Sequence, residues 1–132
     1  AFVFWIILKI FSFKDFIKGL ILYDENSIYF NNESISITSN EQSLISFLSK
    51  KPFITAPQVN HIISHQQFAK SHFTSLRNKL VGDLNEKLFI LTKIQKCIIE
   101  TKHPKDNRIK VYKADSSFIK KKISFFTFLF RN

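Results

Sequence analysis

The stretch from Ala69 to Leu80 is patterned for a helix, and it sets the terms for the rest of the chain. On a helix, Ala69, Phe73, Leu76 and Leu80 share one face, at offsets of four, three and four. Lys70, Ser71, Thr74, Arg77 and Asn78 fall on the opposite face. A narrow apolar seam must be covered by a folded support. The cationic, hydrogen-bonding side is then left to solvent, and it has the chemistry to enter a DNA major groove.

Charge is divided unevenly around this helix. Residues 1–49 carry three lysines against five acids, whereas residues 50–122 carry sixteen Lys or Arg against five acids. The net charge of +10 therefore lies in the second part of the chain. A polyanion is the simplest partner for such a surface, because each neutralised phosphate releases condensed counterions. The competing reading is a solvated, lysine-rich exterior.

The length of 132 residues suits one domain, and 16 Phe supply much of the volume of its core. With two Gly and three Pro, regular elements should be joined by short polar turns. The single Cys97 excludes an intramolecular disulfide, fits a reducing compartment, and reads as a small buried filler. Both ends are apolar. Ala1–Leu8 is an unbroken apolar run, and Lys120–Lys122 precede Ile123–Phe130. Neither run approaches the roughly 20 residues of a spanning helix. The expectation is core or peripheral packing, with membrane association through the ends left open.

The chain divides into an apolar segment at 1–18, a folded domain at 19–113, and a basic then apolar tail at 114–132. Residues 19–38 read as an antiparallel meander, with turn signals at Asp24-Glu25-Asn26 and Asn31-Asn32-Glu33. Thr38 and Glu41 form a capping-box pair, opening a helix that buries Leu44, Ile45 and Leu48 and stops at Lys50-Lys51-Pro52. Thr55 caps a second helix, with Pro57 early and Val59, Ile62 and Ile63 apolar. The third helix spans about 66–81, with Gly82 as its C-cap. Leu88–Thr92 and Ile94–Glu100 are rich in β-formers, and Ile109, Val111 and Tyr112 follow a turn at 103–107. Basic strands after a three-helix unit make a wing.

The fold class expected is therefore α+β, a winged helix-turn-helix. The residues resemble the OmpR/PhoB-type and ToxR-type DNA-binding domain over 19–100. Ile37-Thr38-Ser39-Asn40-Glu41 leading to Leu44, Ile45 and Leu48 is similar to the opening of that family's first helix. Ser71-His72-Phe73-Thr74-Ser75-Leu76-Arg77-Asn78-Lys79-Leu80 is similar to its recognition helix. Phe89-Ile90-Leu91-Thr92, followed by Cys97-Ile98, keeps the spacing of its wing, although that wing has Gly-Tyr at the last two positions. A second resemblance is to the MarR/SarA type, whose wing has an Asp-x-Arg at its tip. Asp106-Asn107-Arg108 would place the wing at Thr101–Lys113.

The resemblance implies a cytoplasmic transcriptional regulator that binds double-stranded DNA, with no cofactor and no enzymatic activity; membrane association on the cytoplasmic side is the open alternative. Base or phosphate contacts are expected from Gln66, Gln67, Lys70, Ser71, His72, Thr74, Arg77, Asn78 and Lys79. Lys93, Lys96, Lys102, Lys105 and Arg108 should add phosphate contacts. Arg77 has an internal alternative, a pair with Glu86, and His72 could equally pack between helices. RNA polymerase and a second copy of the chain are further candidate partners. The alternative function is a basic protein- or membrane-interaction module on the same scaffold. His61 and His65 have helical metal-ligand spacing but no acid nearby in sequence. No Gly-rich phosphate loop or nucleophile motif is present.

Overall fold

The computed structural model describes residues 2–63 and 73–122, so residues 1, 64–72 and 123–132 lie outside the described residues. Helix α1 (Phe2–Ile17) comes first, followed by strands β1 (Ile21–Tyr23), β2 (Ser27–Phe30) and β3 (Glu33–Ser36). Helix α2 (Ser39–Lys50), strand β4 (Ile54–Thr55) and helices α3 (Ala56–Ile63) and α4 (Phe73–Thr92) follow. Strands β5 (Ile99–Lys102) and β6 (Lys110–Lys113), a 3-10 turn (Ser116–Phe118) and β7 (Ile119–Lys121) complete the described elements. The architecture is α+β, with two small sheets.

The expected meander forms, and its turns explain it. The Asp24 carboxylate accepts hydrogen bonds from the Asn26 and Ser27 amides at 3.0 and 2.9 Å and from the Tyr29 hydroxyl at 2.7 Å. Asn31 and Asn32 both have positive φ, 48° and 75°, as a two-residue hairpin between right-twisted strands requires. The sheet order is β3-β2-β1-β7, and β7 runs parallel to β1 with Ile119 beside Ile21. Residues 119–121 are therefore part of the domain rather than of a separate tail starting at 114. The parallel pairing joins residues almost a hundred positions apart and leaves no local signal in sequence.

Helix α2 begins where its caps dictate. The Thr38 amide donates to Glu41 Oε1 at 2.9 Å, and the Glu41 amide donates to Thr38 Oγ1 at 3.2 Å. Lys51, before Pro52, is extended (φ −126°, ψ 151°), which ends the helix. Helix α3 repeats the reciprocal cap, with Thr55 N donating to Gln58 Oε1 at 2.8 Å and Gln58 N donating to Thr55 Oγ1 at 3.3 Å.

Helix α4 corrects the expected end at residue 81. It has 20 residues and continues through Gly82 to Thr92. Arg77, Leu80, Val81, Leu84, Leu88 and Leu91 form its buried face, so the seam keeps helical spacing well beyond the glycine. Gly82 lies on the exposed side, where it weakens the helix without stopping it. Leu88–Thr92, expected as a strand, is helical because burial of Leu88 and Leu91 outweighs local β propensity. The end comes at Lys93, in the left-handed region (φ 63°), with its amide on the Phe89 carbonyl at 2.8 Å.

The second sheet has order β4-β6-β5, all antiparallel. One core unites α2, α3, α4 and both sheets, including Ile28, Leu44, Leu48, Val59, Leu84 and Tyr112. Helix α1 contributes nothing to that buried cluster. Its residues Phe2, Phe4 and Phe11 are 72%, 66% and 61% exposed, which overturns the expectation of core packing for the N-terminal segment.

Candidate nucleic-acid interface

The β5–β6 hairpin and the N-terminal half of α4 lie side by side, and two polar clamps hold them there. Arg77 Nε donates to the Tyr112 hydroxyl on β6 at 2.9 Å, and its Nη1 donates to Asn60 Oδ1 on α3 at 2.9 Å. One guanidinium thereby ties α4 to β6 and to α3. Further along α4, Asn85 brackets Ile98. Its Nδ2 donates to the Ile98 carbonyl at 3.0 Å, and the Ile98 amide donates to Asn85 Oδ1 at 2.8 Å. A side-chain amide here takes the place of a neighbouring strand, satisfying backbone groups just before β5 begins.

Arg77 is thus not the outward contact expected of it. It is 7% exposed, and its partners are Tyr112 and Asn60 rather than Glu86. The outer face of α4 begins with Thr74 and Asn78, both exposed, and Asn78 lies on the edge towards the hairpin. Asn78, Gly82, Asn85, Lys96, Ile98, Glu100 and Tyr112 line a groove of about 380 Å³ between helix and hairpin. Lys79 is exposed but turned towards the opposite flank, where it lines a cavity with Glu41, Asp83 and Glu86. Lys87 Nζ pairs with the buried Glu41 there at 2.6 Å. Lys93 lies fifteen residues along the chain from Asn78, about 22 Å at 1.5 Å per residue. It does not join the same cluster. Gln66, Gln67, Lys70, Ser71 and His72 lie outside the described residues.

The hairpin itself differs from the stretch expected from Phe89–Ile98. Phe89–Thr92 closes α4, and Ile94–Cys97 forms a turn in which Lys96 has positive φ (54°). Cys97 is half-buried in that turn, its thiol near the Ile94 carbonyl at 3.5 Å. The strands at 99–102 and 110–113 instead overlap the second placement, Thr101–Lys113. At its tip, Arg108 Nε and Nη2 grip both oxygens of Asp106, at 3.1 and 3.2 Å. The Arg108 side chain remains 91% exposed. Hydrogen bonds from the Arg108 side chain and amide, together with the field of His103, hold the Asp106 carboxyl below its ordinary range. His103 packs edge-on against Phe53, with ring centroids 5.2 Å apart.

Lys110 and Lys113 were missed as candidates, although both are exposed on β6. Lys102 stands directly opposite Lys110 in the register, an arrangement that disfavours the isolated hairpin. Glu100 relieves part of this by pairing with Lys110 at 3.0 Å. Lys102, Lys105 and Lys113 pair with no acid among the described residues. The apolar pair Val111-Tyr112 flanked by a lysine on each side was the available signal for Lys110 and Lys113. Nothing local marked Asn60 or Asn85.

Among the described residues, no three His, Cys, Asp or Glu side chains gather as metal ligands, and His65 lies outside them. Comparison with family models, curated proteins and solved structures returns no match to this chain.

Proposed function

We propose that this chain binds double-stranded DNA as a winged helix and acts in transcriptional regulation. The element order α2-β4-α3-α4-β5-β6, with sheet order β4-β6-β5, supports that reading of the fold. The observation that carries the function is a basic hairpin clamped beside the exposed edge of α4. Lys102, Lys105, Arg108, Lys110 and Lys113 stand on one hairpin, and a lysine is set opposite a lysine. A polyanion relieves that repulsion, and a duplex presents phosphates at the required density.

In this reading the N-terminal half of α4 enters the major groove, with Thr74 and Asn78 as the described polar contacts. Arg108, splayed from the tip by Asp106, reaches the adjacent backbone or minor groove. The Asp106 fork reduces the freedom that the guanidinium must lose on binding. Arg77 and Asn85 position the two parts and touch no DNA.

Fluorescence anisotropy of a labelled duplex titrated with the full chain at low salt tests the proposal. Binding is expected, and Lys105→Glu with Arg108→Glu should weaken it by at least about tenfold, on the scale of two lost charge contacts. The thermal midpoint should stay unchanged, since both sites are exposed. Failure of random and genomic upstream duplexes alike to bind overturns it.

A further inference from the structure

Helix α1 is amphipathic along its axis rather than around it. From Phe2 to Leu8 every residue is apolar, and Phe2, Val3, Phe4 and Trp5 point in four directions about 100° apart. A groove on a partner protein covers one face of a helix and would leave the others in water. Exposure on all sides therefore calls for a surrounding apolar medium. The polar residues cluster at the other end. Lys14, Asp15 and Lys18 lie where α1 meets the β2–β3 turn, lining a shallow cavity with Asn31 and Asn32. Lys120, on the strand paired to β1, is also exposed.

Over Phe2–Phe11, a rise of about 15 Å, Lys9 is the one charged residue. Among the described residues no helix is long and apolar enough to cross a membrane. The first charge on α1, Lys9, lies 5.9 Å from the centre of the Trp5 ring, directed towards the apolar end; on insertion its long stem lets the ammonium swing round towards the headgroups. Cations outnumber acids at the polar end, which complements phosphate headgroups.

From this arrangement we infer that α1 inserts its Phe2–Phe11 end into the hydrocarbon of an anionic phospholipid bilayer, holding the folded domain at the surface. Lys14, Lys18 and Lys120 form the collar that meets the headgroups. The inference is independent of DNA binding.

Trp5 is the sole tryptophan of the chain, so its emission reports on α1 directly. The full chain is mixed with vesicles of phosphatidylcholine with and without phosphatidylglycerol. With phosphatidylglycerol the emission should shift to the blue and be quenched by lipids brominated on their acyl chains. Affinity should exceed that for phosphatidylcholine alone by about tenfold or more. Phe4→Asp with Ile7→Asp should abolish the shift and co-sedimentation. The thermal midpoint and duplex affinity should not change, because α1 lies outside the core. Three results overturn the inference. One is vesicle binding with Trp5 still in water, which assigns the contact to the basic hairpin. Another is equal binding to both vesicle types. The third is a blue-shifted Trp5 without lipid in a discrete oligomer, which assigns the cover of α1 to a second copy.

Discussion

The N-terminal half of α4 and the tip of the β5–β6 hairpin each carry one arginine, and both belong to a basic stretch of sequence. Arg77 is buried and spends its donors on Tyr112 and Asn60; Arg108 is exposed and leans only on Asp106, two residues away. The first holds two elements in register, while the second keeps its charge available. Positive charge in a sequence therefore does not indicate which cations meet a partner. What separates them is the reach of the partner: a contact 35 residues away for Arg77, against a local fork for Arg108.

Four measurements bear on this contrast, and the largest effect belongs to Arg77. Arg77→Ala leaves the buried Tyr112 hydroxyl and the half-buried Asn60 side-chain carbonyl without their donor. Chemical denaturation should show a loss of about 3 kcal/mol, the scale of a broken buried polar network. Arg77→Lys should recover little, because an ammonium lacks the planar fork. A loss below about 0.5 kcal/mol, typical of a surface site, would dissolve the contrast.

Asn85→Ala should cost about 2 kcal/mol by orphaning the Ile98 amide and carbonyl. Faster amide exchange in β5 would show that the hairpin has come loose from α4. Gly82→Ala should act in the opposite direction. An added Cβ at Gly82 meets nothing within 4 Å, so the helix should gain about 0.5–1 kcal/mol. A loss there would return Gly82 to the role of a left-handed cap and shorten α4.

The smallest effect concerns Asp106. Its folded pKa is depressed by Arg108, so the fork is complete near neutral pH and opens as pH falls through that lowered value. Following the carboxyl carbon by NMR, Arg108→Ala should move the titration upward towards the ordinary aspartate range. An unmoved midpoint would mean that the fork does not hold in solution.

Where the determinants are local, they could be read from sequence. Asp24 and the Asn31-Asn32 pair marked the meander, the Thr38–Glu41 pair started α2, and Pro52 marked its end. The site was less accessible, for three physical reasons. Gly82 looked like a stop, although Leu84, Leu88 and Leu91 continue the spacing set by Leu80. Phe89–Thr92 has strand-like composition that burial overrides. Arg77 is paired by tertiary contacts with Tyr112 and Asn60, which leave no periodic trace. The hairpin at 99–113 was legible through the Asp106-Asn107-Arg108 turn, which predicted it more closely than the Phe89–Ile98 spacing did.

The central claim, that the hairpin's exposed cations meet a duplex while Arg77 serves the fold, is tested most directly by the salt dependence of duplex affinity. Native protein and Arg108→Ala are compared across the same salt series. Log affinity should fall linearly with log salt, with a slope several units steep in the native chain and about one unit shallower in Arg108→Ala. Superimposable slopes for the two proteins, or no measurable binding at the lowest salt, would contradict the account.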